Sequence, residues 1–380
     1  MNILITGIDG YTGWPLTLAI SKKYKNAQII GVDNLMRRKW VFNSGSISAL
    51  PIKSMEKRIT KARQFGLRNI KFIKGDLTDL KFTEKLIKSY KFDVVVHLAS
   101  QPSAPFASSN IFNASYTQKN NIISTLNLIW MIEKYKKKPI KFIYTSTTGV
   151  YGQPNFKIPE GFIKAEYKNK TDLIPFSHLG GSWYHITKSN DLNNLFLANK
   201  LWGMNIIDFR TSIVYGADTE ETKKHNDLNT RFDFDYNFGV VINRFCAMSV
   251  IDHDITVYGK GLLKRPFISL KDFVHSVVNS ISYRQKKSFE VFNQTTELLG
   301  IKQLGLTISK AAQDIGSKSK IKQIRNPRKE KENHNMKMEN KEFLKILKRT
   351  PSNFSCECKE ILLKLNKYKN NILKFKKSLI

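Results

Sequence analysis

The chain has 380 residues, 41% of them hydrophobic and 25% charged, a balance ordinary for a globular protein with room for one large domain or two smaller ones. No apolar run reaches the ~18 residues that span a bilayer, and with an apolar strand already at Asn2-Ile3-Leu4-Ile5 no leader peptide is expected ahead of the fold. The formal net charge of +32 raises nucleic acid as a partner, but the lysines are scattered, no nucleic-acid motif accompanies them, and Lys, Asn and Ile abundant together follow A/T-rich codons, so no specific nucleic-acid binding is expected.

Ile3 to Thr6 reads as a short buried strand. Gly7-Ile8-Asp9-Gly10-Tyr11-Thr12-Gly13 follows at once, then a helical pattern from Trp14 to Lys23. Glycines at this spacing between strand and helix let the backbone approach a pyrophosphate at the helix N-terminus. A second strand, Ala27 to Val32, ends at Asp33, 20 residues beyond Gly13, where an acid hydrogen-bonds an adenosine ribose 2′-hydroxyl. That predicts NAD rather than NADP, with Asn34 beside it, while Arg37 and Arg38 are the groups that could accept a 2′-phosphate. A third strand, Ile70 to Lys74, leads to Gly75-Asp76-Leu77, where Asp76 either reaches the adenine amino group or caps the next helix. Further strands at Asp93 to Ser100 and Lys141 to Thr148 enclose a helix carrying Asn120. Strands and helices alternating at this length predict an α/β fold, a doubly wound parallel Rossmann-type sheet with a smaller C-terminal substrate-binding lobe.

Tyr184 and Lys188 stand four residues apart, on one face of a helix expected from about Ser182 to Leu201. An ammonium beside a phenol favours the phenolate and would lower the tyrosine from its usual value of about 10 towards a usable base. Taken alone, the spacing fits an ordinary amphipathic helix equally well. Cys246, Cys356 and Cys358 form no disulfide framework, and Cys356-x-Cys358 lacks partners for zinc, so a reducing cytoplasm and no metal are expected. The basic stretch from Lys359 to Ile380 is either a membrane-surface helix or a terminal helix docked on the body.

The Gly-rich loop, the strand ending in Asp33, the Ser/Thr-rich strand running to Val150-Tyr151-Gly152, and Tyr184-x-x-x-Lys188 resemble the extended short-chain dehydrogenase/reductases, the NAD-dependent nucleotide-sugar epimerases and dehydratases. Gly10-Tyr11-Thr12-Gly13-Trp14, Ser103-Ala104-Pro105, Gly152-Gln153-Pro154-Asn155, Asn243-Arg244-Phe245-Cys246 and Asn326-Pro327-Arg328 are similar to the UDP-sulfoquinovose synthase branch, over residues 1 to about 335. The resemblance implies an NAD-dependent enzyme acting on a UDP-hexose, with sulfite as co-substrate. It implies Thr147 on the sugar 4-hydroxyl, Tyr184 as base, Lys188 on the nicotinamide ribose, His185 as a proton shuttle or a packed helix residue, and Asn120 near the cofactor. On the substrate it implies Gln101 and Ser103, with Arg231, Arg244, Arg265 and Arg328 as guanidinium candidates for the diphosphate. It also implies a homodimer built on the helices flanking Tyr184 and Lys188.

Three segments depart from that branch. Pro102 stands for its Arg, Val150 for its Glu, and Arg210-Thr211-Ser212 for its Asn-Gln-Gly. The acid pair of the 4,6-dehydratases would fall at Thr148-Gly149 and is missing as well. A UDP-hexose 4-epimerase, needing only Thr147, Tyr184 and Lys188, is the alternative reaction, and a non-catalytic NAD-bound scaffold the alternative class. The expected layout is 1–216 mainly the NAD-binding domain, with 153–183 contributing to the substrate lobe, 217–335 mainly the nucleotide-sugar lobe, and 336–380 a basic extension with no role in the site.

Overall fold

The computed structural model describes residues 1–152, 154–175, 179–327 and 335–379; Gln153 and Arg328, named above, lie outside them. In chain order the strands are β1 (Asn2–Thr6), β2 (Gln28–Asp33), β3 (Ile70–Lys74), β4 (Val94–His97), β5 (Lys141–Thr147), β6 (Phe162–Tyr167), β7 (Lys170–Pro175), β8 (Asn205–Thr211), β9 (Ile213–Tyr215), β10 (Ile255–Tyr258), β11 (Lys264–Ser269), β12 (Phe289–Gln294), β13 (Glu297–Gly300) and β14 (Ile321–Ile324). The helices are α1 (Gly13–Lys23), α2 (Met36–Asn43), α3 (Met55–Gln64), α4 (Leu80–Ser89), α5 (Ala104–Ala107), α6 (Ile111–Tyr135), α7 (Trp183–Trp202), α8 (Val241–Val250), α9 (Leu270–Ser282), α10 (Ile301–Ala312), α11 (Lys341–Leu347), α12 (Phe354–Asn366) and α13 (Lys369–Lys374).

Seven parallel strands form the main sheet in the order β12-β8-β5-β4-β1-β2-β3. Their continuous apolar runs follow from burial on both faces. Ile3 and Ile5 pack into the core under α1 and α9, while Leu4 between them points into the core under α4, α6 and α7. The strand order reverses between β1 and β4, so the crevice beyond their C-terminal ends is the place where a doubly wound sheet binds ligands. Local chemistry starts the helices there: Asn110 accepts from Asn113 N at 2.9 Å to cap α6, and Ser182 Oγ accepts from His185 N at 3.2 Å to cap α7.

The smaller lobe is built from the β13-β11-β9 sheet, the parallel β10-β14 pair, and α8, α10 and α12. The chain enters it more than once. Within the expected 217–335 lobe, α9 packs on α1 and β12 joins the main sheet beside β8. The C-terminal extension is part of both cores: Phe343, Ile346 and Leu347 of α11 lie in the large one, and Phe354, Cys358, Ile361, Leu365 and Leu379 in the small one. Of the two readings of the basic tail, the docked helix is the one observed, because its apolar positions are buried against α8 and α10. Among the described residues no helix is long and apolar enough to cross a membrane.

Candidate active site

A cavity of about 600 Å³ opens at the strand-order reversal, within the size of small-molecule sites. Its first end is the Gly-rich loop. Gly7 holds φ at +78°, a left-handed conformation in which its N–H donates to Val32 O at 2.8 Å. A Cβ on Gly13 would overlap Gly7 O, so loop and helix can meet only without a side chain there. No side chain caps α1 and its first turn carries no acid, which leaves the positive end of the helix facing the cavity for an anion. Tyr11, Thr12 and Gly10 line this end. The Tyr11 hydroxyl donates to Gly216 O at 2.6 Å and Thr230 Oγ1 to Tyr11 O at 2.7 Å, tying the loop to the small lobe.

Asp33 continues this wall of the cavity. Its carboxylate accepts from Asp9 N at 2.9 Å and Leu35 N at 2.7 Å, and burial followed by the nearby Asp9 charge pushes its pKa up to about 6. Asp9, which the sequence reading passed over, is almost fully buried and is gripped by Arg38 through two 2.7 Å bonds and by Arg58 at 2.8 Å. Arg37 pairs with Asp233 at 2.7 Å and lies 4.1 Å over the Phe238 ring. Both arginines left open for a 2′-phosphate are thus committed to carboxylates of this chain. Asp76 accepts from Asn34 Nδ2 at 3.0 Å and Thr78 N at 2.9 Å, and the helix cap falls to Asp79 instead. Leu77 and Asn120 line the same wall. An acid at the end of β2, an uncapped helix start and close-approach glycines fit a dinucleotide.

The other end is formed by β5, the turn after it and α7. Thr147, Thr148, Gly149, Tyr184, His185 and Lys188 all line the cavity. Thr147 Oγ1 accepts from Gly149 N at 3.2 Å. The Lys188 ammonium donates to Thr145 O at 3.0 Å and sits 4.6 Å over the Tyr144 ring. Here the structure corrects an expectation: the Tyr184 phenol is pushed above its ordinary value, not below it. Burial dominates, the Asp191 charge adds to it, and the Lys188 ammonium is turned towards Thr145 and Tyr144. Lys188 itself is pushed down to about 8 by burial, with Asp191 and Asp208 opposing. The His185 ring lies directly over Gly149, where any side chain would overlap it, and a Cβ on Gly180 would come within 2.7 Å of His185 Cβ. Two glycines therefore seat this histidine at the cavity, and the glycine that replaces the dehydratase acid is what makes room for it.

On the substrate side several expected residues are not cavity groups. Gln101 is fully buried and binds Ser103 N, Ser103 O and Thr117 Oγ1, which makes it a brace for the loop. Ser103 does line the cavity, its hydroxyl donating to Asn237 O. Arg231 is 2% exposed, is held by Asp233 at 3.0 Å and stands off the cavity wall, so it is a counter-charge to Asp233 rather than a diphosphate group. Arg244 and Arg265 line the cavity; Arg244 also donates to Tyr258 Oη at 2.6 Å and Leu379 O at 2.7 Å. Met336 lines it too, so the extension reaches the site. The three departures do not all surround the sugar. Pro102, Thr211 and Ser212 are on the wall, but Val150 points into the hydrophobic core and Arg210 is buried against Asp208 and the Tyr151 ring. A lost acid at 150 is therefore a change in the core and not in the cavity.

The profile of the NAD dependent epimerase/dehydratase family matches residues 3–293. The UDP-sulfoquinovose synthase of Sulfolobus acidocaldarius is 35% identical over 382 aligned positions, covering 99% of this chain and 95% of that protein. The chloroplastic UDP-sulfoquinovose synthase of Spinacia oleracea is 37% identical over 334, covering 88% and 69%. In fold, the UDP-glucuronic acid 4-epimerase of Bacillus cereus solved with NAD and a fluorinated UDP-sugar superposes with a TM-score of 0.70 at 21% identity, covering 97% of this chain and 99% of that one.

Proposed function

The chain belongs to the NAD-dependent epimerase/dehydratase family, and from that premise we propose that it is a UDP-sulfoquinovose synthase, converting UDP-glucose and sulfite to UDP-sulfoquinovose. It is an NAD-dependent enzyme of nucleotide-sugar chemistry. The observation that carries the specific reaction is His185 seated over Gly149 beside Tyr184, Thr147 and Lys188. An epimerase needs one proton-handling group at C4; this wall presents a second.

Bound NAD⁺ supplies the hydride acceptor and later the donor for C4. Gly7, Gly10, Gly13, Tyr11, Thr12, Asp33, Asn34, Arg37, Asp76, Leu77 and Asn120 are the groups proposed to hold it. Thr147 orients the 4-hydroxyl and Tyr184 takes its proton as the C4–H bond breaks. The resulting 4-ketone acidifies the C5–H, and His185 removes that proton and returns it to the departing C6 hydroxyl as water. Sulfite then adds as hydrogensulfite, forming the C–S bond at C6 while its proton passes through His185 to C5, and Tyr184 gives its proton back to the C4 oxygen as the ketone is reduced. Ser103, Arg244 and Arg265 are the proposed sugar and diphosphate contacts. The three free thiols suit a reducing compartment such as the cytoplasm.

The test is product analysis with and without sulfite. Incubation of the protein with UDP-glucose, NAD⁺ and sulfite is expected to yield a sulfonated UDP-hexose, absent when sulfite is withheld. UDP-galactose in both cases would replace the proposal with a 4-epimerase, and no turnover in either would leave a scaffold.

The proposed assembly is a homodimer. On α6 and α7, Ile111, Phe112, Trp183, Leu197 and Leu201 are each more than half exposed, at 73%, 81%, 51%, 52% and 62%. A dimer mass is expected in solution at micromolar concentration, and a monomer mass would contradict it.

A further inference from the structure

Behind the wall that carries Lys188 runs a buried polar chain that the reaction steps do not use. Asp191 follows Lys188 on α7 by three residues and is 1% exposed. Its Oδ2 accepts from the Tyr144 hydroxyl at 2.5 Å, and the face of that same Tyr144 ring carries the Lys188 ammonium at 4.6 Å. Tyr144 is thus clamped between a carboxylate at its hydroxyl and a cation over its ring. The two contacts support each other: donation to a carboxylate makes the ring more electron-rich, which strengthens its hold on a cation. The second attachment of Lys188 is Thr145 O, the next residue along β5. A buried ammonium with one neutral acceptor would lose its proton readily, and a buried carboxylate without a counter-charge would gain one.

The groups that face this pair come from every element packed on it. His97 on β4 is fully buried, is pushed down to about 3 by burial and so is neutral, and bonds Thr6 at 2.7 Å and Thr125 at 3.1 Å. Thr125 on α6 donates to Asn121 O at 3.1 Å. Asp208 on β8 is paired with Arg210, and Tyr184 lies one turn before Lys188 on α7. Asp191 is pushed up to about 7 by burial, with Lys188 the leading group that opposes this.

We propose that Asp191 is a positioning residue for the reaction: through the hydroxyl and ring of Tyr144 it fixes Lys188 against Thr145 and keeps its ammonium charged for the cofactor ribose. This rests on the reading of Lys188 as the ribose-binding cation, and the test separates the two.

The measurement is the affinity of the full-length chain for NAD⁺ between pH 5.5 and 9.5. In the unsubstituted protein affinity is expected to fall as pH rises through about 8, where burial brings the Lys188 ammonium down. Asp191→Asn keeps the shape and removes the charge. It is expected to move this fall to lower pH by about one unit, so that affinity is about twofold weaker at pH 7, approaches a tenfold loss near pH 9, and equals that of the unsubstituted protein near pH 5.5. Asp191→Glu restores the original midpoint, and Tyr144→Phe, which keeps the ring but drops the bridge, shifts it in the same direction by less. An unshifted midpoint in Asp191→Asn, or an equal loss at every pH, overturns the proposal while Lys188→Ala still weakens NAD⁺. If Lys188→Ala binds NAD⁺ as the unsubstituted protein does, the reading of Lys188 itself fails and the proposal with it.

Discussion

Tyr184→Phe is expected to lower turnover of UDP-glucose by about 10²–10⁴-fold, the range typical of losing a general base, while leaving NAD⁺ affinity unchanged. The ring keeps its half-buried place on the cavity wall, so packing is kept, and the only group removed is the hydroxyl proposed to take the 4-hydroxyl proton. Burial and the Asp191 charge push this phenol up. A raised pKa keeps the group protonated over a wider range, so the phenolate fraction, and with it the rate, climbs with pH. Lys188→Ala is expected to weaken NAD⁺ and to lower turnover with it, while the pH–rate profile keeps its position, because the Lys188 ammonium is held on Thr145 O and the Tyr144 ring and not on the Tyr184 hydroxyl. Thr147→Val costs less than either, because it removes a hydrogen bond that orients the substrate and not the base. Steady-state kinetics across pH, with a separate NAD⁺ titration, read all three. Unchanged turnover in Tyr184→Phe would mean that the face of α7 bearing Tyr184 and Lys188 is not the catalytic centre.

Gly13→Ala is expected to abolish cofactor binding, with at least about a 10²-fold loss of NAD⁺ affinity, equivalent to about 3 kcal/mol. Beyond the overlap with Gly7 O, the added carbon would lie 2.9 Å from Gly7 C and 3.1 Å from Ile8 Cα. All three are backbone atoms, and no flexible side chain can move aside. Either the loop lifts off β1 or α1 shifts along its axis, and both spoil the surface that faces the pyrophosphate. Gly316→Ala is the control. Its φ of +76° brings a left-handed strain of about 1–2 kcal/mol that Gly13 does not carry, but nothing lies within 4 Å of the added carbon, so stability falls while NAD⁺ affinity stays put. Titration with NAD⁺ and a thermal melt separate lost binding from lost folding. A Gly13→Ala protein that bound NAD⁺ within about threefold of the original would show that the loop makes no close approach to the ligand.

The range of the forces involved divides what the chain shows as a sequence from what appears only on folding. Strands such as Val94–His97 are legible because a parallel strand covered on both faces must be a continuous apolar run, and a Gly-rich turn between strand and helix has few other uses. Ser182 as the start of α7 is equally local, since the cap and its partner His185 are three residues apart. These features settle the fold class, the family and the cofactor from residues that are neighbours in the chain.

What only the tertiary structure decided is where each charge goes. Arg231, Arg244 and Arg265 look alike as letters, yet Arg231 is spent on Asp233 while the other two face the cavity. Arg38 and Arg58 converge on Asp9 from 29 and 49 residues away. Val150 turned from the site into the core because the turn after β5 rotates successive side chains. The sign of the Tyr184 shift was set by burial and by Asp191, which pattern alone does not weigh against a lysine one turn away. Backbone propensity and apolar periodicity act over a few residues and so are written in order along the chain. Desolvation and ion pairing depend on which surfaces meet after folding, and they exist only once the sheet, the small lobe and the C-terminal helices have closed on one another.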